Sequence, residues 1–307
     1  MRTLRFHTYG TAGDVLRLDD AEAPTPGPGQ IRVAVQACGL NPADWALCDG
    51  LFAGDLPRGI GLEVSGTVDA VGDGVTGVAI GDAVFGPAPF TGPTAGASEQ
   101  ALLDVWFPRP PELGPVDAAA LPMAVETAYR GLDALGVRDG LTVLVHGAGT
   151  TVGFAAAQIA IRLGARVIAT AGPTYAGALR AAGAEVTGYG DGMADRVTTL
   201  AGGPVDLALD AGPVSGALPE LIRTAKGPEH VLTLSDFAAA KELGARWSGP
   251  GGEGTIRNDV LGEYARLAAD GRFSVPVART FPLEDWRAAA ELSTSGHARG
   301  KLVLRIG

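Results

Sequence analysis

Thr142-Val143-Leu144-Val145-His146-Gly147-Ala148-Gly149-Thr150-Thr151-Val152-Gly153, continuing to Ala165, is the stretch that decides the fold. Thr142 to Val145 is a β-branched and apolar run, the composition of a buried strand. Gly147 to Gly153 is turn chemistry, three glycines with two threonines. From Val152 to Leu163, apolar residues near 152, 155, 159 and 163 repeat at the period of a helix with one buried stripe. Strand, loop and helix in that order suit a phosphate. The first helical amides have no partner inside the helix, the helix end is positive, and Gly147 and Gly149 let the main chain approach a pyrophosphate. Ala148 and Val152 complete the cradle, with Thr150 and Thr151 as hydroxyl donors. The spacing is GxGxxxG rather than the usual GxGxxG, so its meaning rests on the βαβ pattern around it.

That pattern is present. From Pro115 onward, strands at Thr142–His146, Arg166–Thr170, Val205–Asp210 and His230–Leu234 alternate with Ala-rich helices. Such alternation predicts an α/β fold with a parallel, doubly wound sheet, a Rossmann sheet that binds a dinucleotide at the carboxyl ends of its strands. Ala211 and Gly212 follow the strand Val205–Asp210, and Leu234 and Ser235 lie at the end of His230–Leu234, so all four are expected beside the nicotinamide ribose. An NAD enzyme carries Asp or Glu at the end of the second strand to hold the ribose hydroxyls. Here Thr170 and Ala171 stand there, with no carboxylate to repel a 2′-phosphate. The expected cofactor is therefore NADPH, with NADH second, and Tyr175, Tyr189 or Arg180 at the adenosine phosphate end. Arg180 reads equally as a solvated helix residue.

The first hundred residues have a different texture. Short β-branched runs at Gln30–Cys38, Glu63–Val71 and Asp82–Phe85 are separated by Gly, Pro and Asp, which predicts a compact β-rich domain. After Gly254 a helix at Val260–Ala269, a strand at Val275–Phe281, a helix near Leu283–Ser293 and a last strand at Lys301–Ile306 return to it.

Composition sets the outer limits. The 307 residues are enough for two domains, and a formal charge of −10, with Lys only at 226, 241 and 301, disfavours nucleic acid and anionic membrane surfaces as partners. A small molecule is the expected partner. Cys38 and Cys48 form no CxxC and no Cys/His cluster, which fits a reducing, cytoplasmic location and argues against a structural metal. The N-terminus lacks the apolar core of a signal peptide, and His146, Gln158, Arg162 and Arg166 interrupt the apolar stretch from Thr142 to Ala171, so no membrane span is expected.

Several further stretches carry a resemblance: Gly39-Leu40-Asn41-Pro42-Ala43-Asp44-Trp45, Gly61-Leu62-Glu63-Val64-Ser65-Gly66, Ala120-Leu121-Pro122 followed by Thr127-Ala128-Tyr129, and Gly300-Lys301-Leu302-Val303-Leu304. With the glycine loop they resemble the zinc-independent, quinone oxidoreductase-like branch of the medium-chain dehydrogenase/reductase superfamily. The resemblance implies a GroES-like catalytic domain at 1–114 and 255–307, a Rossmann domain at 115–254, a nicotinamide held between them, and a homodimer. It implies hydride transfer from NADPH to a quinone, enone or similar conjugated carbonyl. Two other readings stand beside it: an enoyl-thioester or pathway-specific reductase of natural-product metabolism, which the same scaffold supports, and a non-catalytic NADPH-binding redox sensor or lens-type structural protein.

Zinc-dependent members place Cys and His where this chain has Asn41 and Leu62, and no cysteine falls in Gly86–Gln100, where the structural-zinc lobe belongs; no metal is expected. Asn41 is the candidate for a polar group at the nicotinamide or substrate, although Asn41-Pro42 is also an ordinary turn. Thr127 lies near the nicotinamide by resemblance, or bonds its own helix backbone. Trp45 and Phe52 either line the acceptor pocket or belong to the core. A tyrosine that this branch often carries at position 46 or 52 is replaced by Ala46 and Phe52, so no proton donor is evident. Asp44 and Glu63 are expected in a buried salt bridge, the four histidines in structural roles, and Lys301 either reaching the cleft or capping the last strand at the surface.

Overall fold

The computed structural model describes residues 1–307 and divides into two compact units, Met1–Met123 with Asn258–Gly307, and Ala124–Arg257. The first division falls later than the expected 114/115, with the helix Pro115–Ala119 packed on the β-rich unit, and the second lies three residues beyond the expected 254/255. Gly39 makes that packing possible: a Cβ there would lie 2.4 Å from the Ala119 carbonyl oxygen and 2.6 Å from Glu63 Oε1.

In the β-rich unit one sheet carries the strands Val277–Pro282, Lys301–Arg305, Ile31–Leu40, Glu63–Val71, Ala83–Pro87 and Phe107–Pro108 in that order, with Gln100–Leu103 pairing beside Ile31–Leu40. A smaller sheet pairs Leu16–Asp20, Arg2–Phe6 and Arg58–Gly59. Along Ile31–Val35 buried and half-buried residues alternate, as a strand with one core face requires, and from Ala37 to Leu40 every residue is buried. Leu4, Phe6, Leu16, Ile31, Val33, Leu47 and Val64 form its core together with Trp286 and Leu304 from the C-terminal segment. Each such side chain contributes roughly 1.5–3 kcal/mol by leaving water.

The second unit is a six-stranded parallel sheet in the order Glu185–Thr187, Arg166–Thr170, Thr142–His146, Leu207–Asp210, Val231–Thr233, Arg246–Trp247. By chain position that is 3-2-1-4-5-6, the doubly wound order, with the direction of winding reversing between Thr142–His146 and Leu207–Asp210. The first strand is buried from Val143 to His146, which explains its nearly unbroken apolar run. Two predicted strands begin too early. Val205 makes only an isolated bridge to Ala225, and Pro228–His230 is a 3-10 turn that delays the next strand to Val231. The helix Thr151–Arg162 follows the glycine loop, one residue from its predicted start. No helix is long and apolar enough to cross a membrane.

Candidate active site

The glycine loop sits where the sheet reverses, and each glycine has its own task. Gly147 adopts φ +71, and a Cβ on it would lie 2.5 Å from the Gly212 main chain, so its missing side chain lets two loops touch. A Cβ on Gly153 would meet the Gly147 carbonyl oxygen at 2.2 Å, so that glycine brings the helix down onto the loop. Only Gly149 has no tight neighbour, a built Cβ meeting just the Ala171 methyl at 3.9 Å, an ordinary contact. Approach to a ligand therefore falls to Gly149, with Thr151 and Val152 half-buried in the first turn of the helix beside it. Ala148 is fully buried and donates its N–H to the Thr170 carbonyl.

The threonines do something other than expected. Thr150 caps the helix: its hydroxyl accepts from the Gly153 N–H at 3.0 Å and donates to the Ala211 carbonyl at 2.9 Å, which leaves it no proton for a phosphate. Thr170 is fully buried, and its hydroxyl accepts the Gly147 N–H at 3.1 Å and bonds His146 Nδ1 at 2.9 Å. Both side chains, predicted to touch the cofactor, hold the loop from beneath instead. Hydroxyls satisfy such buried amides without introducing charge.

A matching support lies under the next loop. Asp210 accepts from the Gly212 N–H at 3.1 Å and from the Thr233 hydroxyl at 2.8 Å, and Ser235 donates its hydroxyl to the Gly212 carbonyl at 2.7 Å. His146 and Asp210 flank Gly212, whose Cβ would lie within 3.3 Å of both. Burial holds His146 below its usual value, against the pull of Asp210, and burial raises the Asp210 carboxyl, against His146, Thr233 and Gly212. Sequence reasoning missed this underlayer. Its one visible signal was an Asp closing a buried strand directly before Ala211-Gly212.

Where the adenosine end is expected, Ala171 is buried, while Tyr175 packs edge-on against Phe154 with ring centroids 5.5 Å apart. Burial raises the Tyr175 phenol. Tyr189 is exposed, its hydroxyl 3.7 Å from a Cβ built on Gly172, and Arg196 binds the carbonyls of Gly188 and Asp191 on either side of it. Arg180 donates to the Val186 carbonyl at 3.3 Å from the surface of its helix. Leu234 is half-buried and its N–H reaches the Asp210 carbonyl. Thr127 is half-buried, with its hydroxyl 3.5 Å from Glu126 Oε2, a carboxylate that pairs with Arg130.

In the β-rich unit Asn41 caps the helix Pro42–Cys48, and Asp44 closes the capping box by accepting the Asn41 N–H at 2.7 Å. The Asn41 amide nitrogen donates to Glu63 Oε1 at 2.9 Å and its carbonyl oxygen accepts from Lys301 Nζ, so both ends of the expected catalytic amide are engaged inside the protein. Lys301 also pairs with Glu63, is 2% exposed, and is no surface cap. The Glu63 carboxylate takes the Met123 N–H at 2.8 Å as well. Asp44 is fully buried, accepts the Gly61 N–H at 2.7 Å, and is pushed up by burial to about 6. Burial also drives the Cys38 thiol well up and the Cys48 thiol to about 12, so neither is a nucleophile at neutral pH.

The two aromatics part company. Trp45 is 5% exposed, sits in the core cluster and donates its indole N–H to Ser293 Oγ at 2.8 Å. Phe52 is 52% exposed and packs at 5.8 Å against Phe90.

Residues 27–102 match the alcohol dehydrogenase GroES-like domain family, and residues 183–304 match the zinc-binding dehydrogenase family. The quinone oxidoreductase of Coxiella burnetii has the same fold, with a TM-score of 0.82 and 29% identity over 100% of this chain and 99% of that one. The chain belongs to the quinone oxidoreductase-like branch of the medium-chain dehydrogenase/reductase superfamily. Human quinone oxidoreductase is 36% identical over 178 residues, 56% of this chain and 53% of that protein. The spectinabilin polyketide synthase protein NorB of Streptomyces orinoci is 35% identical over 97% of this chain, which spans only 14% of that much longer protein. The superfamily is one of nicotinamide-dependent oxidoreductases. The reversal point fits such a dinucleotide: a Gly149 without tight neighbours, a helix N-terminus, and a loop held by buried hydrogen bonds.

Proposed function

We propose that the chain is an NADPH-dependent, zinc-independent oxidoreductase that delivers hydride to a quinone or another α,β-unsaturated carbonyl. One observation carries the cofactor preference: the strand Arg166–Thr170 ends in a buried threonine followed by Ala171 and Gly172, with no carboxylate where an NAD site needs one. Tyr189 stands beside Gly172 at that edge, open to a 2′-phosphate. NADPH, when bound, supplies the hydride pair and leaves as NADP⁺, while solvent supplies the proton that completes the reduced acceptor. The protein's part is to bind and orient. Gly149 and the first turn of Thr151–Arg162 take the pyrophosphate, and the His146–Thr170 and Asp210–Thr233 pairs keep both loop amides from drifting.

Zinc chemistry is left out on the donor set. Asn41 and Leu62 replace a Cys and a His ligand, the Asn41 oxygen already holds the Lys301 ammonium, and a dication there would face that charge. No group of three or more His, Cys, Asp or Glu is arranged to hold a metal.

A second reading, an enoyl-thioester or pathway-specific reductase of natural-product metabolism, is favoured by the likeness to NorB, a polyketide synthase system protein, along nearly the whole chain. We further place the protein in the cytoplasm as a homodimer with a small-molecule substrate. Following NADPH and NADH absorbance at 340 nm against a panel of quinones, short enones and enoyl thioesters tests the proposal. Turnover with NADPH and a quinone or enone is expected. Tighter binding of NADH would overturn the cofactor assignment, and NADPH binding with no turnover of any acceptor would favour a redox sensor.

A further inference from the structure

Arg58 is the largest fully buried side chain in the protein, 1% exposed, and its guanidinium meets main-chain carbonyls rather than a carboxylate. Nη1 donates to the Phe52 carbonyl, while Nε and Nη2 donate to the Phe90 carbonyl at 3.3 and 3.0 Å. Burying a charge without a counter-ion works against stability, and an apolar side chain of similar volume fills a core as well. Packing alone therefore does not account for Arg58. What it does achieve is to tie together two loops that are far apart in sequence.

Those loops carry an aromatic pair. Phe52 sits at φ +54, a conformation that bulky residues rarely adopt, and shows 52% of its surface to solvent. The Phe90 ring lies 5.8 Å from it at 43°, with the Arg58 guanidinium 5.9 Å from the Phe90 centroid. Tyr9 pins the same segment from the other side, donating its hydroxyl to the Gly54 carbonyl at 2.8 Å and accepting the Gly54 N–H at 2.6 Å. Phe90 also heads a shallow open groove of about 300 Å³ formed with Pro87, Ala88, Pro89, Thr91, Asp104 and Val105. A single exposed ring is ordinary. An exposed ring held in left-handed backbone by a buried arginine and a tyrosine is a surface kept in one orientation.

We propose that Arg58 is a positioning residue that locks Phe52 and Phe90 into an aromatic platform, and that this platform selects planar conjugated-ring acceptors, quinones above all, over open-chain enoyl thioesters. The inference rests on the hydride-transfer reading above and narrows it. A fixed ring face stacks a flat acceptor in one orientation, whereas a flexible acyl chain gains contact area without orientation.

The test compares the wild-type protein with Phe52→Ala, Arg58→Met and Arg58→Lys, using 1,4-naphthoquinone and a crotonyl thioester as acceptors at saturating NADPH. KM for naphthoquinone is expected to rise about fivefold in Phe52→Ala and in Arg58→Met, the size of one lost ring contact, with kcat held. KM for the thioester stays within about twofold, and Arg58→Lys, which keeps a donor to the carbonyls, recovers part of the loss. Equilibrium dialysis of naphthoquinone against protein without cofactor provides a second measurement, in which Phe52→Ala, a change at an exposed side chain, must weaken binding even if Arg58→Met fails to fold. Unchanged naphthoquinone KM and binding in Phe52→Ala, or equal losses for both acceptors, would overturn the platform. Absence of turnover with every acceptor would overturn the hydride-transfer reading instead, and dialysis would still decide whether the platform binds a ring.

Discussion

Each unit buries a polar cluster, and the two are stabilised by different means. In the β-rich unit the cluster is ionic: Lys301 lies between Glu63 and Asn41, and Asp44 is held by the amides of Asn41 and Gly61. In the parallel-sheet unit hydroxyls do the work: Thr170 joins His146 to the Gly147 amide, and Thr233 joins its own strand to Asp210. An ionic cluster fails when one charge is removed, because its partner remains buried and uncompensated. A hydroxyl bridge fails more gently, at the level of one or two hydrogen bonds. The ionic cluster thus governs whether its unit folds, and the hydroxyl bridges govern how firmly a loop is placed.

The largest effect expected from that difference is in Lys301→Met. It strands the Glu63 carboxylate and the Asn41 oxygen, and should lower unfolding free energy in urea by about 3–5 kcal/mol. A loss under about 1 kcal/mol would mean that the ionic cluster is not what holds this unit, given the usual cost of breaking a buried pair.

Thr170→Val should cost less, about 1–3 kcal/mol, since it removes the acceptor of the Gly147 N–H and the partner of His146. It should also weaken NADPH binding about tenfold as the loop relaxes, an amount equal to one lost hydrogen bond. Isothermal titration calorimetry of the folded variant checks this, and full affinity would show that the loop keeps its place without the hydroxyl.

The smallest effect is in pH, and it runs in opposite directions. Burial raises Asp44 from 3.8 to about 6, so its charged form opposes folding; that penalty is complete above pH 6 and fades as pH falls toward 3.8. Between pH 7 and 5 the relief is about 1 kcal/mol. His146 is lowered from 6.5, so the unfolded chain takes its proton first and stability falls as pH drops through 6.5. Urea unfolding of wild type beside Asp44→Asn and His146→Gln should show wild type gaining on the first and losing to the second on acidification. Matching trends would break the contrast between the clusters.

Legibility followed the range of the interactions. Strand Thr142–His146, the loop and the helix after it were readable because β-branched runs, glycines and helical spacing act within a few residues. Glu63–Val71 was read to the residue for the same reason. The role of Asn41 was not, because its partners Glu63 and Lys301 lie 22 and 260 residues away. Trp45 and Phe52 looked alike as aromatics near one turn, yet one is capped by Ser293 in the core and the other is held outward by Arg58.

By itself, then, the sequence determined the two textures of the chain, the doubly wound half and the place of its glycine loop, since those depend on local conformational preference and periodic burial. Tertiary structure alone decided what each polar group does there. Thr150 and Thr170 turn inward, Lys301 is buried, and Arg58 orients two rings, because a buried donor or acceptor must find its partner wherever the fold brings one within about 3 Å.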